Sequence, residues 1–358
     1  MKDARLEKLA EILVDYSARV QPGETVLISS TELGQSLVEP VFEKVLEKGA
    51  YPLLKLTFSN LQPLYYKKAT EEQLDTLLEI EELTYKKADA LINIRGPANL
   101  KQLTSTDPSR MTRRMQATKP IQEWVLSGNV RWVLCNFPTE ALAQEAEMSL
   151  REYEDFLFAA TNIDWKEQSA FLEKIKEVFD RGEEVRLVGE NTDIKFNIVG
   201  RPGIKCDGEH NMPDGEVFYS PVEDSAEGYI TYDFPAIYQG KEVHNVYLEF
   251  KEGKVDKATA DKNQELLQQV IETDPGACRL GEFGIGTNYG IERFSKDTLF
   301  DEKIGGTIHL ALGKSYPEAG GQNDSAVHWD MIKDLRRGGK IYLDGKPVQE
   351  NGVFLIDR

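Results

Sequence analysis

Partway along this 358-residue chain, near Arg181-Gly182-Glu183, the hydrophobic pattern changes texture. Before that point helical and strand patterns alternate. Leu6, Leu9, Ile12, Leu13 and Tyr16 recur at helical spacing, and Thr25–Ile28 has the short apolar run of a buried strand. A helix is expected over 33–48, closed by Gly49, then a strand over Tyr51–Thr57. A periodic helix over Glu71–Lys87, a strand at Ala90–Ile94, a short helix at Pro108–Gln116 and a strand at Arg131–Cys135 follow. Helical patterns occupy Thr139–Phe158 and Trp165–Asp180. Strands alternating with helices imply an α/β domain with a mostly parallel sheet and helices on both faces. Beyond residue 182 the chain breaks into short strands joined by turn pairs such as Gln239-Gly240 and Glu252-Gly253, with one helix over Thr259–Thr273. The expected division is an α/β domain over 1–182 and a mainly antiparallel α+β domain over 183–358. Two domains also suit a chain of this length.

Composition narrows the partners. Hydrophobic residues make up 40% and charged residues 29%, ordinary for a globular protein. The 61 acidic residues outnumber 43 basic ones, giving a formal charge of −18. Nucleic-acid binding rests on Lys and Arg neutralising phosphates, and the basic clusters here, Arg110 to Arg114 and Lys333 to Arg337, are short. Nucleic acid and anionic membrane are therefore set aside as partners. The three cysteines, Cys135, Cys206 and Cys278, are odd in number and form no CxxC, so neither a disulfide framework nor a zinc knuckle is expected. With no apolar leader and no run of about 18 apolar residues, the expected compartment is the cytosol.

Chemistry concentrates in the second half, which holds His210, His244, His309 and His328. In Asn323-Asp-Ser-Ala-Val-His328-Trp-Asp330 an extended strand points His328 and Asp330 to one face. An imidazole and a carboxylate suit zinc or a similar ion, and a polar surface strand is the competing reading. His309 sits inside the apolar run Gly305-Gly-Thr-Ile-His-Leu-Ala-Leu, where a satisfied core histidine is the plainer explanation. Glu282 is flanked by glycines in Gly281-Glu-Phe-Gly-Ile-Gly286, and a carboxylate in such apolar company needs a partner. The nearby glycine spacing lacks a βαβ frame and makes a weak dinucleotide loop. His210-Asn-Met-Pro-Asp-Gly-Glu216 is dense turn chemistry leading into a strand, with an exposed glutamate as the bland reading. Each segment alone is ambiguous. Together they offer three carboxylates and two imidazoles, the donor set a two-metal hydrolase needs.

These segments resemble the thermophilic metallo-aminopeptidase family that includes aminopeptidases T and S. The likeness rests on Pro-Asp-Gly-Glu-Val-Phe (213–218), Asp-Ser-Ala-Glu-Gly (224–228), Gly-Glu-Phe-Gly-Ile-Gly-Thr-Asn (281–288), Gly-Gly-Thr-Ile-His (305–309) and Asn-Asp-Ser-Ala-Val-His-Trp-Asp (323–330). The resemblance implies a dinuclear aminopeptidase, with Glu216, Glu282, His309, His328 and Asp330 as metal ligands. It further implies Glu282 as the bridging carboxylate, Tyr316 as an active-site tyrosine, and a homodimer whose catalytic domains face a large internal cavity. Zinc or cobalt is the expected metal, with manganese or magnesium as alternatives. The chain is shorter than the family pattern, and the stretch from His309 to His328 looks trimmed.

The implied reaction releases N-terminal amino acids from peptides. Tyr316 stabilises the oxyanion, and Glu216, Glu282, Glu292 and Glu318 all stand open as the general base. Two rivals remain: a metal-dependent hydrolase of other amides or esters, and a non-catalytic peptide-binding relative. A serine or cysteine nucleophile is disfavoured, since no G-x-S-x-G elbow occurs.

Overall fold

The computed structural model of the protein describes residues 3–356. The chain forms two compact units. One comprises the chain up to Asn162 together with Gly208–Pro213, and the other Ile163–Asp207 together with the chain from Asp214 onward.

The first unit is built on a five-stranded sheet. Its order is Tyr51–Thr57, Thr25–Thr31, Ala90–Arg95, Arg131–Asn136 and Asn211–Met212, with every pair parallel. Val26, Leu27, Ile28, Ala90, Ile92 and Val133 are buried in it, as the continuous apolar runs require. The expected helix over 71–87 is divided into Glu71–Asp75 and Glu79–Lys87. Thr70 and Gln73 form a capping box that starts the first piece, and Thr76 is extended. The carbonyl freed at Thr76 accepts a hydrogen bond from Arg114 Nη1 at 2.7 Å. The neighbouring helix is longer than its sequence signal, Pro108–Trp124, and runs through Pro120.

The domain boundary differs from the break in sequence texture. The amphipathic helix Trp165–Phe179 belongs to the second unit, where Phe171, Leu172, Ile175 and Phe179 join its core. Residues 208–213 return to add the fifth strand of the parallel sheet. The helix expected over 259–273 is trimmed to Gln264–Ile271: the strand Lys254–Thr259 claims its first residue, Lys262 bridges to His244, and Asn263 is left-handed.

Among the described residues, the second unit packs two large antiparallel sheets, the hairpin Ala236–Tyr238/Lys241–Val243 and the helices Trp165–Phe179 and Gln264–Ile271 around one core. Its eight-stranded sheet runs, in order, Lys254–Thr259, Tyr247–Lys251, Glu227–Thr231, Thr192–Asn197, Glu184–Gly189, Lys340–Leu343, Lys346–Glu350 and Val353–Phe354. The segment 224–228 serves this sheet, where Ser225 Oγ accepts from Asn197 N at 2.9 Å and donates to Val222 O at 2.7 Å. The five-stranded sheet is ordered His328–Asp334, Thr307–Gly313, Leu280–Gly286, Glu216–Tyr219 and Ile204–Cys206. One of its faces supplies Val217, Tyr219, Phe283, Ile285, Leu310, Leu312, Trp329 and Met331 to the core. Side chains alternate along a strand, so the intervening residues share the opposite face.

Arg114 holds the broken helix pair together, with Nη2 2.7 Å from Glu81 Oε2 and only 18% of its side chain exposed. Arg114→Ala is expected to destabilise the protein by about 2 kcal/mol, the range for charged hydrogen bonds. Urea unfolding checks this, and an unshifted midpoint would refute it.

Candidate metal centre

The opposite face of the five-stranded sheet carries the site. Strand register pairs Glu216 with Gly286, Gly284 with His309, Glu282 with Ala311, Ala311 with Asp330, and Gly313 with His328. All five side chains implied as ligands therefore project from one face, and four strands contribute them. Their neighbours on that face are Gly284, Gly286, Ala311 and Gly313, which leave room above the sheet. Gly284 is the tightest case: a Cβ there would overlap the His309 imidazole, which lies directly over its backbone.

The turn before Glu216 is clamped by residues that follow the 280–286 strand. Thr287 donates through both its backbone N and Oγ1 to Gly215 O at 2.8 Å, and Asn288 Nδ2 donates to Asp214 O at 2.9 Å. Gln168 holds Thr287 Oγ1 at 2.8 Å. Gly215 has φ +121°, and a Cβ would run into Asn288, so the turn requires glycine.

Two donor groups emerge. Glu216, Glu282 and His309 form one, Glu282, His328 and Asp330 the other, and within each the ligand atoms lie within 4.8 Å of one another. Glu282 belongs to both. His309 Nε2 is 3.5 Å from Glu216 Oε2 and 3.5 Å from Glu282 Oε1, while His328 Nε2 is 3.2 Å from Glu282 Oε2 and 3.4 Å from Asp330 Oδ1.

The residues fit divalent ions on three counts. Glu216 Oε2 and Asp330 Oδ1 are buried without a hydrogen bond, a costly state that a cation relieves. His328 Nδ1 lies 2.9 Å from Lys314 O, so it must donate, and Nε2 is the nitrogen turned to the carboxylates. Such an outer hydrogen bond is how ligand histidines are oriented. The mixture of imidazole and carboxylate suits zinc, cobalt or manganese.

Electrostatics agree. Burial works against charge on His309, but the Glu282 hydrogen bond and the charges of Glu216 and Glu302 raise it to about 10. His328 is likewise opposed by burial and raised to about 11 by Asp330 and Glu282. Burial pushes the Glu282 carboxyl up, and the hydrogen bonds from both imidazoles outweigh it and leave it below its ordinary value. Without metal the imidazoles thus stand in as the cations of an over-anionic cluster.

Tyr316 lies beside this cluster. Its ring packs on Phe218 at 5.1 Å between centroids, its backbone N donates to Ser220 Oγ at 3.2 Å, and its hydroxyl is 3.4 Å from His328 Nε2. Burial and then the neighbouring carboxylates drive its ionisation well above the usual tyrosine range, so it remains a donor.

Sequence reasoning missed Glu302 and Lys303. Lys303 is buried, with Nζ 3.2 Å from Glu216 Oε1 and 2.5 Å from Glu302 Oε2. Glu302 is driven well above the carboxylate range by burial, which the charge of Lys303 only partly offsets, and it hydrogen-bonds Asp330. An Asp-Glu-Lys run reads as solvated surface. The one signal was its position immediately before Ile304-Gly-Gly-Thr-Ile-His309. Glu292 and Glu318 are exposed and belong to neither donor group. The remaining histidines are structural: His210 stacks on Trp132 at 4.7 Å, and His244 Nε2 pairs with Glu242 Oε2 at 2.8 Å.

Gly284→Ala is expected to displace His309 and weaken divalent-ion binding by tenfold or more, on the order of other losses of ligand orientation. Titration of the variant with cobalt(II) checks this, and wild-type affinity would show that the ring does not depend on the bare backbone beneath it.

The chain is similar along its whole length to known proteins. It is 27% identical to aminopeptidase 2 of Geobacillus stearothermophilus, covering 99% of this chain and 98% of that protein. It is 26% identical to aminopeptidase T of Thermus thermophilus, covering 98% of each. The alignment with the Geobacillus protein spans 414 positions against 358 residues here, so this chain lacks segments that the relative carries. Among solved structures, AmpT of Thermus thermophilus superposes with a TM-score of 0.84 at 23% identity, covering 99% of both chains. A 2,5-dihydroxypyridine dioxygenase of Pseudomonas putida KT2440 reaches 0.61 at 16% identity, covering 99% of this chain and 98% of that one. Both likenesses concern the fold. The model of the thermophilic metalloprotease family, M29, matches residues 2–354, and the chain belongs to that family.

Proposed function

We propose that the protein is a metal-dependent aminopeptidase that releases N-terminal residues from peptides through a site for two divalent ions. The observation that carries this reading is the sharing of Glu282 between two donor groups on one sheet face. Glu216 and His309 would hold one ion and His328 and Asp330 the other, with Glu282 within reach of both groups. Full-length similarity to proteins named aminopeptidases supports the substrate class.

When bound, such an ion pair supplies Lewis acidity at the scissile carbonyl and acidifies a water at neutral pH. The protein's residues do the rest. Tyr316 holds its hydroxyl as a donor toward the developing oxyanion. Glu302 lies against Asp330 but outside both donor groups; with the Lys303 ammonium beside it and cations held by the neighbouring ligands it would be ionised yet of raised proton affinity, and we assign it the proton of the attacking water in place of Glu292 and Glu318. Metal identity is proposed as zinc or cobalt, since imidazole and carboxylate donors occur in both halves of the site.

The proposal extends to a homodimer. Among the described residues the edge strand Tyr51–Thr57 pairs on one side only, and it exposes Tyr51, Leu53, Leu54 and Leu56. An unprotected apolar edge of this kind supports burial against another chain. The odd cysteine count supports the cytosol as the compartment.

Hydrolysis of a panel of aminoacyl anilides, led by leucine, tests the reading. Free-amine substrates are expected to be cleaved and N-blocked ones spared. Chelation should abolish cleavage, zinc or cobalt should restore it, and about two ions should bind per chain. Cleavage that survives chelation would sink the proposal. Glu302→Gln should lower kcat by roughly 10²–10⁴-fold, the usual contribution of a general base. Tyr316→Phe should lower it by roughly 10²–10³-fold, the loss expected for one oxyanion donor. A Glu302→Gln enzyme with unchanged kcat would remove Glu302 from the mechanism.

A further inference from the structure

We infer that Lys303 is a positioning residue that fixes which oxygen of Glu216 faces the metal centre and ties that ligand to Glu302. Nothing in the family's ligand pattern above assigns this lysine a part. Its ammonium is buried, with 4% of the side chain exposed, and touches two carboxylates at once: Glu216 Oε1 at 3.2 Å and Glu302 Oε2 at 2.5 Å. The two oxygens of Glu216 are therefore not equivalent. Oε1 is held by Lys303, whereas Oε2 is buried with no hydrogen bond and faces His309 Nε2 at 3.5 Å. A flexible carboxylate could offer either oxygen or both. Lys303 leaves only Oε2 for an ion in the His309 group.

The lysine is itself anchored. Its backbone O accepts from Asn288 N at 2.9 Å, and Asn288 also holds the Asp214-Gly215 turn from which Glu216 starts. Ligand and orienting residue thus hang from one clamp. Cys206 and Asp214 form a third close group with Glu216, all three lying on the flank where Lys303 stands. Lys303 supplies positive charge to that flank as well.

The inference rests on the two-ion reading above. Its test is equilibrium titration of the metal-stripped full chain with cobalt(II), following bound ions per chain and folding by circular dichroism. Wild type should bind two ions. Lys303→Met should bind one ion 10–100-fold more weakly, the range for loss of an outer-shell partner, and keep the other. Lys303→Arg, which retains the charge, should recover most of the affinity. A merely structural lysine would lower thermal stability and leave both ion affinities alone, which would overturn the inference. If Lys303→Met does not fold, Lys303→Gln gives the same readout, and two wild-type affinities there would equally overturn it. Failure of the two-ion reading is told apart by the wild-type titration: a wild type that binds no cobalt brings down that reading and this inference together.

Discussion

Mutual repulsion of buried carboxylates is the constraint on which the second unit turns. Glu216, Glu282 and Asp330 converge on one face of a five-stranded sheet, with Glu302 beside them. Such a cluster holds together only when positive charge is brought to it. Lys303 brings one charge permanently, and the two imidazoles bring more when no metal is present. The sheet makes the crowding bearable by dividing its labour. Phe283, Leu310 and Trp329 commit one face to a shared hydrophobic core, and that core holds the strands in register against the strain on the other side.

The same division explains what could be read in the sequence. Short apolar runs between helices made the parallel strands legible: Tyr51–Thr57 falls where its pattern puts it, and Ala90–Arg95 and Arg131–Asn136 each run one residue past theirs. The five side chains implied as ligands do meet on one surface, because each lies on a strand or at its first residue and register fixes its direction. What stayed hidden depends on contacts between distant segments. The division of the 71–87 helix is set by Arg114, some forty residues on, as the sequence separation in its hydrogen bond shows. Lys303 is buried and Glu302 half-buried beside Glu216 and Asp330, and no local composition betrays that.

The connection from His309 to His328 is short yet well tied. Lys314 N donates to Val327 O at 2.6 Å, and Asn323 Nδ2 donates to Gly276 O at 2.9 Å and Gly313 O at 2.6 Å. These bonds place Tyr316 and the Lys314 carbonyl against His328 with few residues to spare. The segment that orients the imidazole is thus fixed by hydrogen bonds from both of its ends.

The strands that bear the site pair antiparallel, and their partners are far apart in the chain: Glu216 with Gly286, and His309 with Ile332. Contacts of that separation form slowly, because a long loop must close before any pairing repays it. The donor groups consequently do not exist in a half-folded chain. Any divalent ion that these residues hold would therefore find its site only after the sheet has closed.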